Sequence, residues 1–261
     1  MTVTALLPIR RCIGIPLMRL FCLPHAGGAA SAYLPWADLL PSTVELCAVQ
    51  LPGRGGRSGE PARGRAAELA AEIAEGVAAE ADLPYAFFGH SMGGLLAFEA
   101  AQLLAGQGAP APMGLMVSSA RSPDRWDRPG RRFHTGSDAE LIGMLRVQGA
   151  TPPELFEFPD LLELALPPLR ADLEVCETYV FAERPPLTVP IAVFGGSEDP
   201  GVTAADLAGW RRHSIAPVSV RIFGGDHFYH TEALPQLLDV VVSHLDSWAG
   251  STGPAPTRRS S

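Results

Sequence analysis

The chain has 261 residues, a hydrophobic content of 47% and a formal net charge of -8. That length and apolar content suit one globular domain, or one domain with a sizeable insertion. The acidic balance excludes nucleic acid as the main partner, because no overall positive field would draw in a phosphate backbone.

In chain order, residues 1–17 read as an N-terminal extension. They are moderately apolar but interrupted by Arg10 and Arg11, and no long apolar core follows, so a cleaved signal is not expected. No run approaches the ~20 apolar residues of a membrane span, so no membrane is expected and the anticipated address is the cytoplasm. Short apolar or aromatic runs then alternate with longer Ala- and Leu-rich segments. MRLFCL (18–23), VELCAVQL (44–51), YAFFG (85–89), MGLMVSS (113–119), PIAVFGG (190–196) and VSVRIFGG (218–225) read as strands. Most lack polar alternation, which predicts a parallel sheet covered on both faces. Helices are expected over 65–81, 93–107, 203–214 and 234–249. The alternation predicts a right-handed, doubly wound α/β fold.

Residues 121–188 break this rhythm, with helical pieces and no good strand. So long a connection between core strands predicts a helical lid insertion. The core is thus expected from 18–120 and 189–249, and the polar, Pro- and Gly-rich tail 250–261 is expected to be disordered. The four cysteines, Cys12, Cys22, Cys47 and Cys176, form no C-x-x-C pair. Free thiols in a reducing compartment are expected, and no zinc site.

In FFGHSMGGLL a serine stands between two glycines where a buried strand meets a helix. Gly-x-Ser-x-Gly alone is a weak signal. In this context Ser91 is expected on a sharp turn, with Gly89 and Gly93 removing side chains that would clash. The plain alternative is a strand-to-helix turn capped by Ser91. A serine nucleophile needs a base, and the base an orienting acid. In such a fold they follow in the order serine, acid, histidine, each just past a strand end. Asp199 follows one strand and His227 the next. Glu198 competes with Asp199, while Asp226 adjoins His227 and its side chain diverges from it. His230 is a weaker base candidate, expected to be helical or at the surface. His213 and His244 are expected to face solvent, and His90 to pack beside the turn. The Gly-rich loop LPHAGGAAS (23–31) and the residue after the nucleophile make the backbone N–H groups of Ala26 and Met92 the candidate oxyanion donors. A plain βα turn is the alternative for that loop.

Together, LFCLPHAGGAASAY, VQLPGRGGR, FFGHSMGG, LRADLEVCETY, GGSEDPGVT and GGDHFYH resemble the stand-alone type II thioesterases of polyketide and nonribosomal peptide assembly lines, over about residues 18–248. The resemblance implies an α/β-hydrolase fold with a Ser91, Asp199 and His227 triad and an oxyanion hole at Ala26 and Met92. It implies hydrolysis of acyl thioesters on the phosphopantetheine arm of an acyl or peptidyl carrier protein, clearing stalled or wrongly primed groups. The triad chemistry requires no metal or cofactor, and a monomer is expected. A general carboxylester or acyl-CoA hydrolase, or an acyltransferase, on the same fold is the rival reading.

A carrier protein is usually acidic, so docking on an acidic enzyme needs a local basic patch. Arg121, Arg125, Arg128, Arg131 and Arg132 supply one, unless Asp124 and Asp127 hold them in an internal ion-pair cluster. Arg54 and Arg57 are expected to fix their own loop. Leu145, Phe156, Phe158 and Leu161 of the insertion are expected either to line an acyl chamber or to pack the lid on the body.

Overall fold

The computed structural model describes residues 3–126, 132–148 and 156–251. Arg128, Arg131 and nearly all of the expected disordered tail lie outside the described residues. The core is a seven-stranded sheet in the order β1-β3-β2-β4-β5-β6-β7. The strands are β1 (Ile9–Arg11), β2 (Met18–Leu23), β3 (Val44–Ala48), β4 (Tyr85–His90), β5 (Leu115–Ser118), β6 (Ile191–Gly196) and β7 (Val218–Phe223). All pairings from β3 through β7 are parallel, and only β1 runs antiparallel, against β3.

The central strands are apolar throughout because each face is covered by its own core. On β4, Tyr85 and Phe87 enter one cluster while Ala86 and Phe88 enter the other. Phe21 and Leu20 on β2, and Val193 and Phe194 on β6, divide in the same way. This is the two-residue period of a strand between two layers. Helices α2 (Ala66–Ala78) and α3 (Met92–Gly106) cover one face. Helix α7 (Leu234–Ser251) and the short turn of helix at Ala30–Trp36 cover the other. The short α1 (Val3–Leu6) and α6 (Ala204–Ala208) complete the body. Among the described residues no helix is long and apolar enough to cross a membrane.

Two elements depart from the sequence expectation. Residues 1–17, expected as an extension, contribute α1 and the edge strand β1. Arg10 of β1 pairs with Glu45 of β3 at 3.0 Å and with Glu80 at 2.7 Å. Backbone pairing with β3, Ile9 against the core and these long-range ion pairs hold the strand, and none of them shows as an apolar pattern in the sequence. The other exception is β7, expected to be covered on both faces. As the opposite edge it is half exposed, with only Phe223 buried.

The insertion forms α4 (Asp138–Gln148) and α5 (Pro159–Thr178), with no strand among the described residues. Leu141, Met144, Leu166 and Leu169 make a small core of its own. Val175 on α5 and Tyr179 just beyond it join the main core. The segment leading into α4 is strapped to α5. Glu177 accepts the amides of Phe133 at 2.9 Å and His134 at 3.1 Å, and Arg170 donates to the carbonyls of His134 and Gly136 at 2.7 and 2.6 Å.

Arg54 does more than fix its own loop. It forms a two-pronged ion pair with Asp172 of α5, one prong measuring 2.7 Å, and donates to the Gly28 carbonyl at 3.1 Å. Asp172 also accepts the Gly27 amide at 2.7 Å. One fully buried carboxylate therefore ties the lid helix to the Gly-rich loop after β2. Burial pushes the Asp172 carboxyl above its ordinary value, opposed by the Arg54 guanidinium and the Gly27 amide. Arg57 is held as expected, donating to the Gln50 carbonyl at 2.9 Å and pairing with Glu60 and Glu72. Replacing Asp172 by Ala leaves a buried guanidinium without its counter-charge, so Asp172→Ala is expected to lose about 3–5 kcal/mol of stability, read as a lower urea midpoint at unchanged m-value.

Candidate active site

Ser91 occupies the junction of β4 and α3 at φ 53° and ψ -120°, a positive φ that few non-glycine residues adopt. The turn is this sharp because the chain on either side is packed without room. A Cβ at Gly89 would lie 2.2 Å from the Gly93 carbonyl oxygen, and one at Gly93 would lie 2.1 Å from that of Leu23. The Ser91 amide donates to the Ser118 carbonyl at 2.8 Å, pinning the turn to the end of β5. The serine is thus a strained elbow, and strain of this kind persists where the surroundings enforce it.

The chain returns to this edge twice more. After β6, Asp199 is held by its own turn, with Oδ1 accepting the amides of Gly201 at 2.8 Å and Val202 at 3.1 Å. Its Oδ2 accepts a hydrogen bond from His227 Nδ1 at 2.7 Å, from the turn after β7. A carboxylate can only accept, so Nδ1 carries the proton of this bond, and in the neutral imidazole Nε2 is then the acceptor. Burial alone would raise the Asp199 carboxyl, but the bond and charge of His227 and the Gly201 amide outweigh it and hold the group below its ordinary value. The competing acids do not reach the imidazole. Glu198 is exposed, and Asp226 accepts the Phe228 amide at 2.7 Å.

Ser91, Asp199, His227 and Ala26 line one cavity of about 710 Å³ beneath the lid. Trp126, Phe133, Met144, Leu169, Leu173 and Val202 form its apolar wall. None of Leu145, Phe156, Phe158 and Leu161 does so. Leu145 packs in the lid's own core, Phe156 lies under the Arg146 guanidinium at 4.7 Å, and Phe158 and Leu161 are 54% and 48% exposed. Which lid residues turn inward depends on how α4 and α5 seat on the body, and an apolar stripe does not report that.

Among the described residues, the amides of Ala26 and Met92 have no acceptor, whereas the neighbouring Gly27 and Gly28 amides are taken by Asp172 and the His25 carbonyl. Met92 also begins α3, where the helix dipole favours negative charge. Two unpaired amides beside a strained serine can receive a developing oxyanion.

Three further histidines surround His227. His90, inside the elbow, lies 5.2 Å from His227 between ring centroids, and 4.1 Å from His230. His25 packs edge-on to Phe228 at 5.0 Å. Burial, then repulsion from neighbouring imidazoles, lowers His25 to about 3 and His230 to about 4, and holds His90 well below its ordinary value. His230 is half-buried in a turn with its ring against His90, rather than helical or at the surface, and it does not line the cavity. His213 is also buried rather than solvent-facing, donating from Nε2 to Asp124 at 2.8 Å. Asp124 and its partner Arg212 thereby stand apart from the expected arginine cluster. Within that cluster Arg121 donates to the Gly201 carbonyl, Arg132 to the Glu177 carbonyl, and Arg125 is exposed. His244 is half-buried against Phe194 and Trp248.

The strained serine, the acid behind a histidine and the helical insertion over a mostly parallel sheet define an α/β-hydrolase fold. The thioesterase domain family matches residues 18–248, and the chain belongs to that family. It is 38% identical to the linear gramicidin dehydrogenase LgrE of Brevibacillus parabrevis over 232 residues, 88% of each chain. It is 36% identical to thioesterase PikA5 of Streptomyces venezuelae over 87% of this chain and 81% of the relative. The first name denotes redox chemistry, and the family match is what assigns this chain. Among solved structures, the type II thioesterase BorB from the borrelidin biosynthetic cluster superposes with a TM-score of 0.83 at 37% identity, covering 90% of this chain and 95% of that one.

The lowered histidines set a pH dependence of stability. In the unfolded chain they take up protons near 6.5, whereas in the fold His230 stays neutral to about 4 and His25 to about 3. Between those values the unfolded state binds more protons, so stability falls as pH drops from about 6.5 toward 4. The thermal midpoint is expected to decline over that range, and His230→Gln to make the decline shallower. An unchanged slope in the variant would contradict this assignment.

Proposed function

We propose that this thioesterase removes acyl groups from the phosphopantetheine thiol of acyl or peptidyl carrier proteins in polyketide or nonribosomal peptide synthesis, with Ser91, His227 and Asp199 as its triad. The observation that carries the reading is the 2.7 Å bond from His227 Nδ1 to Asp199, on the wall of the same lidded cavity as the strained Ser91. The relatives support the pathway: one is named a thioesterase, and the superposed structure comes from a biosynthetic cluster.

On this reading Ser91 Oγ attacks the thioester carbonyl as His227 Nε2 takes its proton, and Asp199 stabilises the imidazolium that forms. The amides of Ala26 and Met92 hold the tetrahedral oxyanion. Collapse breaks the C–S bond, and the proton on Nε2 goes to the departing sulfur. His227 then takes a proton from water as its oxygen attacks the acyl-serine, and returns it to Ser91 as the acid leaves. The apolar wall of the cavity receives the acyl chain. Residues 121–188 act as the lid and 18–120 with 189–249 as the hydrolase body. The enzyme works as a monomer in the cytoplasm, and its four free cysteines accord with a reducing compartment.

Ser91→Ala is expected to abolish turnover. Asp199→Asn, which leaves His227 in the wrong tautomer, is expected to lower kcat by roughly 10³- to 10⁴-fold. Mass spectrometry of a panel of acylated carrier proteins reads both. Release of free acid from carriers supports the assignment, while turnover confined to soluble esters or acyl-CoA favours a general hydrolase, and transfer to a second acceptor favours an acyltransferase.

Arg125 and Arg132 are exposed on the segment entering the lid, and Arg132 borders the cavity. They are the described candidates for meeting a carrier's acidic surface. The pair Arg125→Glu and Arg132→Glu is expected to slow turnover of carrier-bound substrate while sparing a small soluble thioester. Equal loss on both substrates removes the docking role.

A further inference from the structure

Beside the proposed triad lies a buried run of polar atoms that the mechanism does not use. His90 directly precedes Ser91, Ser118 closes β5, and Tyr229 comes two residues after His227. His90 Nδ1 and Ser118 Oγ share a hydrogen bond of 3.0 Å, and Ser118 Oγ and the Tyr229 hydroxyl share one of 2.8 Å. The three residues are 1%, 0% and 2% exposed, so these bonds face no competition from water. Nε2 of His90 has no partner among the described residues, so Ser118 alone fixes its tautomer by hydrogen bonding.

The run joins the ends of three strands. β4 and β5 are already registered, His90 opposite Ser118. The turn carrying His227 is tied to the turn after β6, where the Glu198 amide donates to the Gly225 carbonyl at 2.8 Å, and it meets the elbow by ring contacts of His90 with His227 and Phe228. Among the described residues, its other hydrogen bonds over 226–233 are local, as from the Tyr229 amide to the Asp226 carbonyl at 3.2 Å, apart from the bond between His227 and Asp199. The Tyr229 hydroxyl is thus the hydrogen-bonded link from the base's turn to the elbow. Its ring is held independently, stacked on Phe223 at 5.1 Å and 12°.

Rates of proton transfer fall steeply with misplacement, an error of 1 Å costing on the order of 100-fold. We propose that Tyr229, acting through Ser118 and His90, is a positioning residue that holds the turn carrying His227 in register with the elbow carrying Ser91. The proposal rests on the triad reading above. Tyr229 touches no reacting atom, and its effect is on the distance and angle between base and nucleophile.

Tyr229→Phe keeps the stacked ring and removes only the hydroxyl. It is expected to lower kcat by about 10- to 100-fold at unchanged KM, equally on carrier-bound and small soluble thioesters. Labelling of Ser91 by an active-serine phosphonate should slow by a similar factor, with little change in thermal midpoint. Ser118→Ala should have the same effect, and the double variant should be no worse than the poorer single one. The proposal is overturned if Tyr229→Phe keeps kcat within twofold, if its loss lies wholly in KM or thermal stability, or if the two losses multiply. His227→Ala separates the levels: should it retain full turnover, the triad reading and this proposal fall together. Should it be inactive while Tyr229→Phe is normal, only the positioning role falls.

Discussion

The structure depends on the absence of side chains at Gly89 and Gly93. A Cβ at either position would run into backbone, not into a side chain able to swing aside. That contact forces the chain from β4 into α3 through a turn with Ser91 at φ 53°. The strain is offset by some of the most completely buried parts of the molecule, β2, β4 and the inner face of α3. The enforced turn lifts Ser91 into the cavity wall and leaves the Met92 amide unpaired at a helix N-terminus. A relaxed turn would give up both together.

Around that fixed point the remaining groups are held by different means. Asp199 is held by two amides of its own turn, a short-range device. The loop bearing Ala26 is held from a distance, since Asp172 on α5 takes the Gly27 amide while Arg54 takes the Gly28 carbonyl. The Gly27 amide is thereby occupied, that of Gly28 is taken by the His25 carbonyl, and that of Ala26 stays available. Helix α5 and the Gly-rich loop after β2 therefore meet through one carboxylate. His227 packs among imidazoles that burial holds below their ordinary value, so on the proposed mechanism the positive charge it would gain meets no fixed cation among those rings.

The central sheet and the positions proposed for the triad were legible in the sequence for the same reason. Strands covered on both faces announce themselves by unbroken apolar character, and Ser91 and Asp199 each follow the end of one, β4 and β6, while His227 follows the half-exposed edge strand β7, marked by its Gly-Gly turn. β1 was not legible, because three residues containing two arginines carry no periodicity and their partners Glu45 and Glu80 lie far along the chain. Asp172 was hidden likewise, 118 residues from Arg54. The surroundings of His213 and His230 were not legible, since a polar residue in a short segment does not reveal that Asp124 or His90 is folded against it. The lid was legible as an insertion, but its inward face was not. Met144, Leu169 and Leu173 line the cavity, while Leu145 and Leu161, equally apolar, do not.

The central claim is that the acyl group passes through Ser91. Rapid quenching of the enzyme with an acyl thioester, followed by proteolysis and mass spectrometry, tests it directly. The account predicts a transient acyl adduct on the peptide containing Ser91, formed in step with thiol release and lost as free acid appears. Full hydrolysis with no adduct at Ser91, or with the adduct on another residue, would contradict it.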